Sequence, residues 1–226
     1  MKRTFGYVLI IGLIATGVGG CMVDRIGTLI PDSTLNIARN GIVDARVALL
    51  LTPDVKSYVW QGRATGSIFA VAQKKAIPLG QGIQLGFSNG CTQVFAKCRV
   101  VETMPPAADY DVLIIPRVLN YSIMRDDTGL LGGHGEKFGV KRTLSMEVKT
   151  KVGGGAFKTR VYEKSLSGER VRWLRHDSPT FVRADRSAAE KVLAAVIQDV
   201  FRDLLATPAV SALPLRPRPP ALPTQK

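Results

Sequence analysis

Residues 109–166 carry the pattern that most constrains the fold. Side chains on a β-strand alternate between two faces, so a long alternating run specifies a strand with one buried side. Tyr110, Val112 and Ile114, then Val118, Asn120, Ser122 and Met124, predict a long twisted strand over 109–124. Pro116 suits a bulge or an edge position within it. In 140–150, Val140, Arg142, Leu144, Met146, Val148 and Thr150 alternate with Lys141, Thr143, Ser145, Glu147 and Lys149. Only Arg142 interrupts the more apolar face. Gly153 to Gly155 predict a turn and 157–166 a further strand, which together make an antiparallel meander. Between the first two strands, Gly129, Gly132, Gly133, Gly135 and Gly139 mark a flexible loop.

The flanking segments add helices and shorter strands. Residues 43–51 begin with alternation and end as an apolar run, which suits a buried central strand stopped by Pro53 and Asp54. Short strands are expected over 56–61, 68–71 and 99–102. Ile83, Phe87, Cys91, Val94 and Phe95 place one apolar face on a helix over 79–97. Gly80, Gly82, Gly86 and Gly90 oppose that reading, each costing up to ~1 kcal/mol against Ala. Their spacing allows close packing on a sheet, or an irregular segment. Residues 171–183 read as irregular and broken by Pro179. A strong amphipathic helix follows over 185–205, capped by Asp185 or Ser187, with Val192, Ala195, Val196, Ile197, Val200, Phe201 and Leu204 inward. The expected class is α+β: a mixed, mainly antiparallel sheet with two helices packed on one face.

The ends of the chain differ from this middle. Lys2 and Arg3 precede an almost wholly apolar or small stretch from Phe5 to Val18, shorter than the ~20 residues of a membrane-spanning helix. That order suits an exported, removed segment. The site Val18-Gly19-Gly20-Cys21 resembles the lipobox of bacterial lipoproteins, departing mildly at Gly19. The resemblance implies cleavage before Cys21, diacylglycerol on its thiol and acylation of the new amine. Several chains make attachment stable where one holds only marginally. Met22 in place of Asp implies the outer membrane by the same family's rule. The expected organisation is a signal peptide over 1–20, a lipid anchor and tether over 21–41, a periplasmic domain over 42–206 and a disordered, Pro-rich basic tail over 207–226. Removal of 20 of the 226 residues leaves 206, enough for one domain with a tail.

The Val-Ala-Leu-Leu-Leu strand at 47–51, the Tyr-Asp-Val-Leu-Ile-Ile strand at 110–115 and the helix at 185–205 resemble small envelope lipoproteins of the YajG kind in layout. They are also similar to the sheet-plus-helix domains of curli-secretion and lipopolysaccharide-assembly lipoproteins. That resemblance implies an accessory or assembly role.

Chemistry-bearing motifs are sparse. No CxxC, HxH or HExxH spacing places a metal, and His134 and His176 read as exposed histidines. No Gly-x-Ser-x-Gly elbow exists. The glycine loop lacks the Gly-Lys-Ser ending and following helix of a phosphate cradle. Asp126 and Asp127 read as a turn cap. No catalytic residue, metal or cofactor is expected. Cys91 and Cys98 have two readings. In one helix their Cα atoms sit ~10 Å apart, beyond the ~7 Å limit for a bridge, so a disulfide needs the helix to end before Cys98. Otherwise both are small apolar residues on one face.

The net charge is +13. In an exported protein this suits anionic lipid, lipopolysaccharide or an acidic partner, and nucleic acid is not expected. Arg170, Arg172, Arg175, Arg183 and Arg186 surround Trp173 and Phe181 and form the candidate contact surface, against the plain alternative of a solvated strand edge and loop. The leading expectation is a non-enzymatic accessory or assembly factor, lipid-anchored on the periplasmic face of the outer membrane, serving an envelope protein partner. The alternatives are a lipid or lipopolysaccharide carrier with an apolar groove, and an envelope hydrolase without a recognisable motif.

Overall fold

The computed structural model of the protein describes residues 23–32, 35, 41–66, 74–126, 137–168, 171–172 and 179–217. In chain order its elements are β1 (Val23–Arg25), β2 (Ile42–Leu50), α1 (Pro53–Lys56), β3 (Trp60–Arg63), β4 (Lys74–Ile77), α2 (Leu79–Val94) and β5 (Phe95–Val101). Then come β6 (Val112–Asp126), β7 (Lys137–Val152), β8 (Lys158–Ser167), β9 (Val171–Arg172), α3 (Pro179–Ala206), α4 (Pro208–Ser211) and β10 (Leu215–Arg216). The class is α+β, as the sequence predicts.

The large sheet runs β10-β2-β6-β7-β8, with β5 on β2 and β9 on β7. β2 pairs in parallel with β5 and β6. The β6–β7 and β7–β8 ladders are antiparallel and form the predicted meander. Gly153, at φ +54°, turns the second hairpin. Pro116 is buried and pairs with Val148, just past Ile114, the last β6 residue paired to β2. The register shift falls later, between Val118 and Asn120. A second, three-stranded sheet, β1-β4-β3, closes the core where β6 runs past the end of β2. There Thr65 bridges to Met124, and Trp60 meets Tyr121 edge-on with ring centroids 5.2 Å apart.

α2 and α3 share one face of the large sheet, α2 over β2 and β5 and α3 over β7 and β8. The four glycines of α2 explain how they fit. A Cβ on Gly82, Gly86 or Gly90 would lie 2.8, 2.3 or 2.5 Å from side-chain atoms of Leu193, Ile197 and Phe201 respectively. Three glycines at four-residue spacing thus receive three large side chains at the same spacing on α3. The close approach expected against the sheet occurs instead against the neighbouring helix. Gly80 serves another contact, since a Cβ there would lie 2.3 Å from the backbone oxygens of Val55 and Lys56 in α1. On the opposite face of the sheet, Ala48, Leu50, Leu113 and Tyr110 form a smaller buried cluster.

Several boundaries differ from expectation. α3 begins at Pro179, which opens the helix and does not break it, because the first helical position lacks an intrahelical N–H partner anyway. The expected strand over 56–61 is α1 followed by β3, and the strand over 99–102 starts at Phe95, directly from α2. In α3, Leu193 is buried and Ala195 only partly so. The segment read as a tether is packed over its described part: β1 pairs with β4, and Ile26, Leu29 and Pro31 are buried. Glu190 accepts a hydrogen bond from the Ile30 N–H, and Gln93 from that of Leu35. The domain also extends past 206. Val210 is fully buried, β10 pairs with β2, and Arg216 meets Asp44 at 2.8 Å. A few well-placed apolar residues between prolines suffice to dock this stretch. Residues 218–226 and the strand expected at 68–71 lie outside the described residues.

Gly80→Ala should lower stability by about 1–3 kcal/mol through overpacking, because backbone must move. Helix propensity alone predicts the opposite sign. Urea denaturation of the purified domain decides between them.

Candidate functional site

The most concentrated chemistry in the described residues lies where β4, β6, β7 and α3 meet. Asp185 faces inward from α3 and accepts hydrogen bonds from the Lys75 ammonium on β4 and the Arg142 guanidinium on β7. Arg142 also donates to the Tyr121 hydroxyl on β6 at 2.6 Å. Its guanidinium carbon lies 5.6 Å from the Tyr121 ring centre. Lys75, Arg142 and Asp185 are 2%, 0% and 1% exposed.

Local structure aims each group at this point. Arg142 sits on the inward face of β7, between Val140 and Leu144, so strand alternation directs it into the core. It pairs with Ile123 across β6, and Tyr121 lies two residues along the same face. Lys75 follows exposed Lys74, and the pleat sends it to the opposite side. The sequence offers Asp185 or Ser187 as the helix cap. The six earlier residues of α3 place Asp185 in the second turn instead, on the buried stripe.

Electrostatics hold the Asp185–Arg142 pair ionised. Burial pushes the Asp185 carboxyl up, but the charges of Arg142 and Lys75 and their hydrogen bonds outweigh it and leave it below its ordinary value. Burial works against the Arg142 charge, and Asp185 and Tyr121 overcome it, raising its value. Burial drives Tyr121 up to about 12, with Arg142 acting against it. Asp185 and Arg142 therefore stay charged, and Tyr121 neutral, across physiological pH. The Lys75, Arg142, Asp185 and Tyr121 end groups bond to one another out of contact with solvent, while the Arg142 Nε is buried without a hydrogen-bond partner among the described residues, so the arrangement ties four elements together. It offers no accessible nucleophile or base.

Two further features are candidates. Where β2 leaves β6, an open cleft of ≈ 510 Å³ is lined by Leu50, Val55, Tyr58, Ile115 and Val118, with exposed Arg117 among them. The second is the cysteine pair. α2 ends at Val94, Cys98 stands on β5, and a disulfide joins it to Cys91 with the Cα atoms 5.9 Å apart. The helix ends soon enough to meet the geometric condition read from the spacing. The bridge staples the end of α2 to the strand it runs into.

Only part of the arginine surface falls within the described residues. Arg183 is exposed on α3. Arg186 is half-buried and engaged with Glu190 at 2.8 Å, the same carboxylate that holds Ile30. Arg172 belongs to β9, while Arg170, Trp173 and Arg175 lie outside the described residues, as do Cys21, Asp127, His134 and His176. Among the described residues, no group of three or more His, Cys, Asp or Glu is placed to bind a metal.

Sequence reasoning missed the buried cluster. Its one visible signal was Arg142, the cation that broke the apolar face of its strand.

No family model matches the chain, and no curated protein matches it. Among solved structures, it is similar to a Xanthomonas campestris protein described by the family model DUF330, with TM-score 0.49 and 12% identity over 82% of this chain and 93% of that one. A second similar structure, of an uncharacterized protein, has TM-score 0.43 and 11% identity over 80% of this chain and 99% of that one. Likenesses at these values say nothing of activity.

Asp185→Asn should destabilise the fold by about 3–5 kcal/mol, because it leaves two buried cations without their carboxylate. The combined change Lys75→Met, Arg142→Met, Asp185→Leu and Tyr121→Phe should cost less than that single change, measured by urea denaturation. The wild-type contribution is complete above the unfolded-state value of ~3.9 and drains as pH falls below it towards the lower folded value. The difference between wild type and Asp185→Asn should therefore shrink in acid.

Removing the bridge by Cys91→Ala with Cys98→Ala should cost about 2–3 kcal/mol, from the short loop that it closes. Thermal unfolding with and without reductant measures it, and the variant should no longer respond to reductant.

Proposed function

We propose that the protein is a non-enzymatic accessory or assembly factor, anchored through Cys21 to the periplasmic face of the outer membrane. It would present its α+β domain to a protein partner in an envelope complex. The observation that carries this reading is the disposition of its ionisable groups. The densest cluster among the described residues is sealed and spent on holding elements together, which suits a rigid platform better than a catalyst. The Cys91–Cys98 bridge supports an oxidising compartment, in keeping with export through the lipobox-like N-terminus.

The cleft beside β6 supports a second reading, a lipid or lipopolysaccharide carrier. Its volume lies in the range of small-molecule sites, and its walls are largely aliphatic. Against this reading, the cleft is open and also lined by Thr52, Asp54 and Arg117, so an acyl chain there would keep much of its surface wet.

Crosslinking in intact cells followed by affinity capture separates the two. Under the accessory reading, wild type captures a defined subunit of an envelope complex, and Cys21→Ala captures much less. Capture of lipid or lipopolysaccharide alone, lost in Val118→Arg, moves the carrier reading ahead and removes the accessory one.

A further inference from the structure

We infer that the domain sits directly on the membrane surface through the end of the fold that carries β1, with Arg63, Lys74, Lys141 and Arg183 against anionic phospholipid headgroups. This inference rests on the proposed lipidation of Cys21. It adds how the domain is held and what it touches.

The first argument is reach. β1 begins at Val23, two residues after Cys21. Two fully extended residues span at most ~7 Å. β1 is not free to pay out more chain. It pairs in parallel with β4 from Val23↔Lys74 onward, and the Ile26 N–H continues the ladder to the Ala76 carbonyl at 3.2 Å. Beyond it, Leu29 and Pro31 are buried against the glycines of α2. A lipid-bearing Cys21 therefore brings the start of β1 to the headgroup layer, and the domain comes with it.

The second argument is what lies beside that start. Val23 registers with Lys74, and Lys74 with Arg63. Two residues past Arg63, Thr65 bridges to Met124, which registers with Lys141, which registers with Ser167. Two cross-strand rows, two residues apart along the strands, thus lie at the anchor end, one in each sheet. The first turns of α3 adjoin it: a Cβ on Gly168 would lie 2.8 Å from Ala188, and exposed Arg183 sits on the same stretch of helix. Arg63, Lys74, Lys141 and Arg183 are all exposed, and none forms a salt bridge within the described residues. Met124, 51% exposed between them, supplies an apolar side chain at the same level. Cations around an exposed apolar residue suit the headgroup boundary of an anionic leaflet, where each Lys or Arg is attracted within a Debye length.

The test uses the full lipidated protein in vesicles of phosphatidylcholine alone and in equal parts phosphatidylcholine and phosphatidylglycerol. An amine-reactive footprint read by mass spectrometry follows Lys74 and Lys141, with Lys158, at the far end of β8, as internal control. The mass of the N-terminal peptide reports whether Cys21 is acylated. Modification of Lys74 and Lys141 should slow several-fold on the anionic vesicles, with Lys158 unchanged, and recover at high salt. If Cys21 is acylated and all three lysines react alike on both vesicles, the domain stands off the surface. The inference then fails while the anchor survives. Equal protection on both vesicles overturns the headgroup recognition. An unmodified Cys21 removes the anchored reading and this inference together.

Discussion

The two long helices can share one face of the sheet because one of them has almost no side chains where they touch. Gly82, Gly86 and Gly90 make a groove along α2, and Leu193, Ile197 and Phe201 of α3 fill it. Side chains four apart on a helix lie nearly in line, so both rows run along the seam. The inward face of α2 is then free to carry Ile83, Phe87 and Cys91 onto the sheet. The glycines cost helix propensity and return it as packing. Leu29, Pro31 and Leu35 border the same groove from the other side, so the chain after β1 acts as a strap over the seam.

The charge cluster plays the complementary part. Apolar packing alone does not specify how the small sheet sits against the rest of the fold. The hydrogen bonds among Lys75, Asp185, Arg142 and Tyr121 are directional, and they link β4, α3, β7 and β6. A buried ion pair adds little net stability over apolar packing. Its use here is to fix the orientation of four elements. The disulfide does similar work at the other end of α2, where the helix passes straight into β5.

These constraints bear on function through rigidity. The segment that follows the lipobox-like cysteine is bound into the fold at both β1 and the helix seam. Under the proposed anchoring at Cys21, force or position set at the membrane would pass directly into the domain. The docked stretch after α3 adds to this, since Val210 of α4 is buried and β10 pairs with β2.

Legibility followed the range of the interactions. The meander, the central strand and the terminal helix were readable because strand and helix periods are written in neighbouring residues: Val140 to Thr150 alternate, and Val192 to Leu204 recur along one stripe. The candidate site was legible only as one anomaly, Arg142. Its partner Asp185 stands 43 residues on, and Lys75 lies 110 residues from Asp185, separations that no local pattern records. The expected tether and tail failed for a related reason. Composition reports what a segment can do alone, and 26–31 and 208–216 are held by surfaces made elsewhere in the chain. The sequence by itself determined which residues face inward on each element, because backbone geometry imposes the period. Tertiary structure alone decided what those inward faces meet: helix against glycines, cation against Asp185, and the chain ends against the sheets. That choice depends on the whole core closing at once.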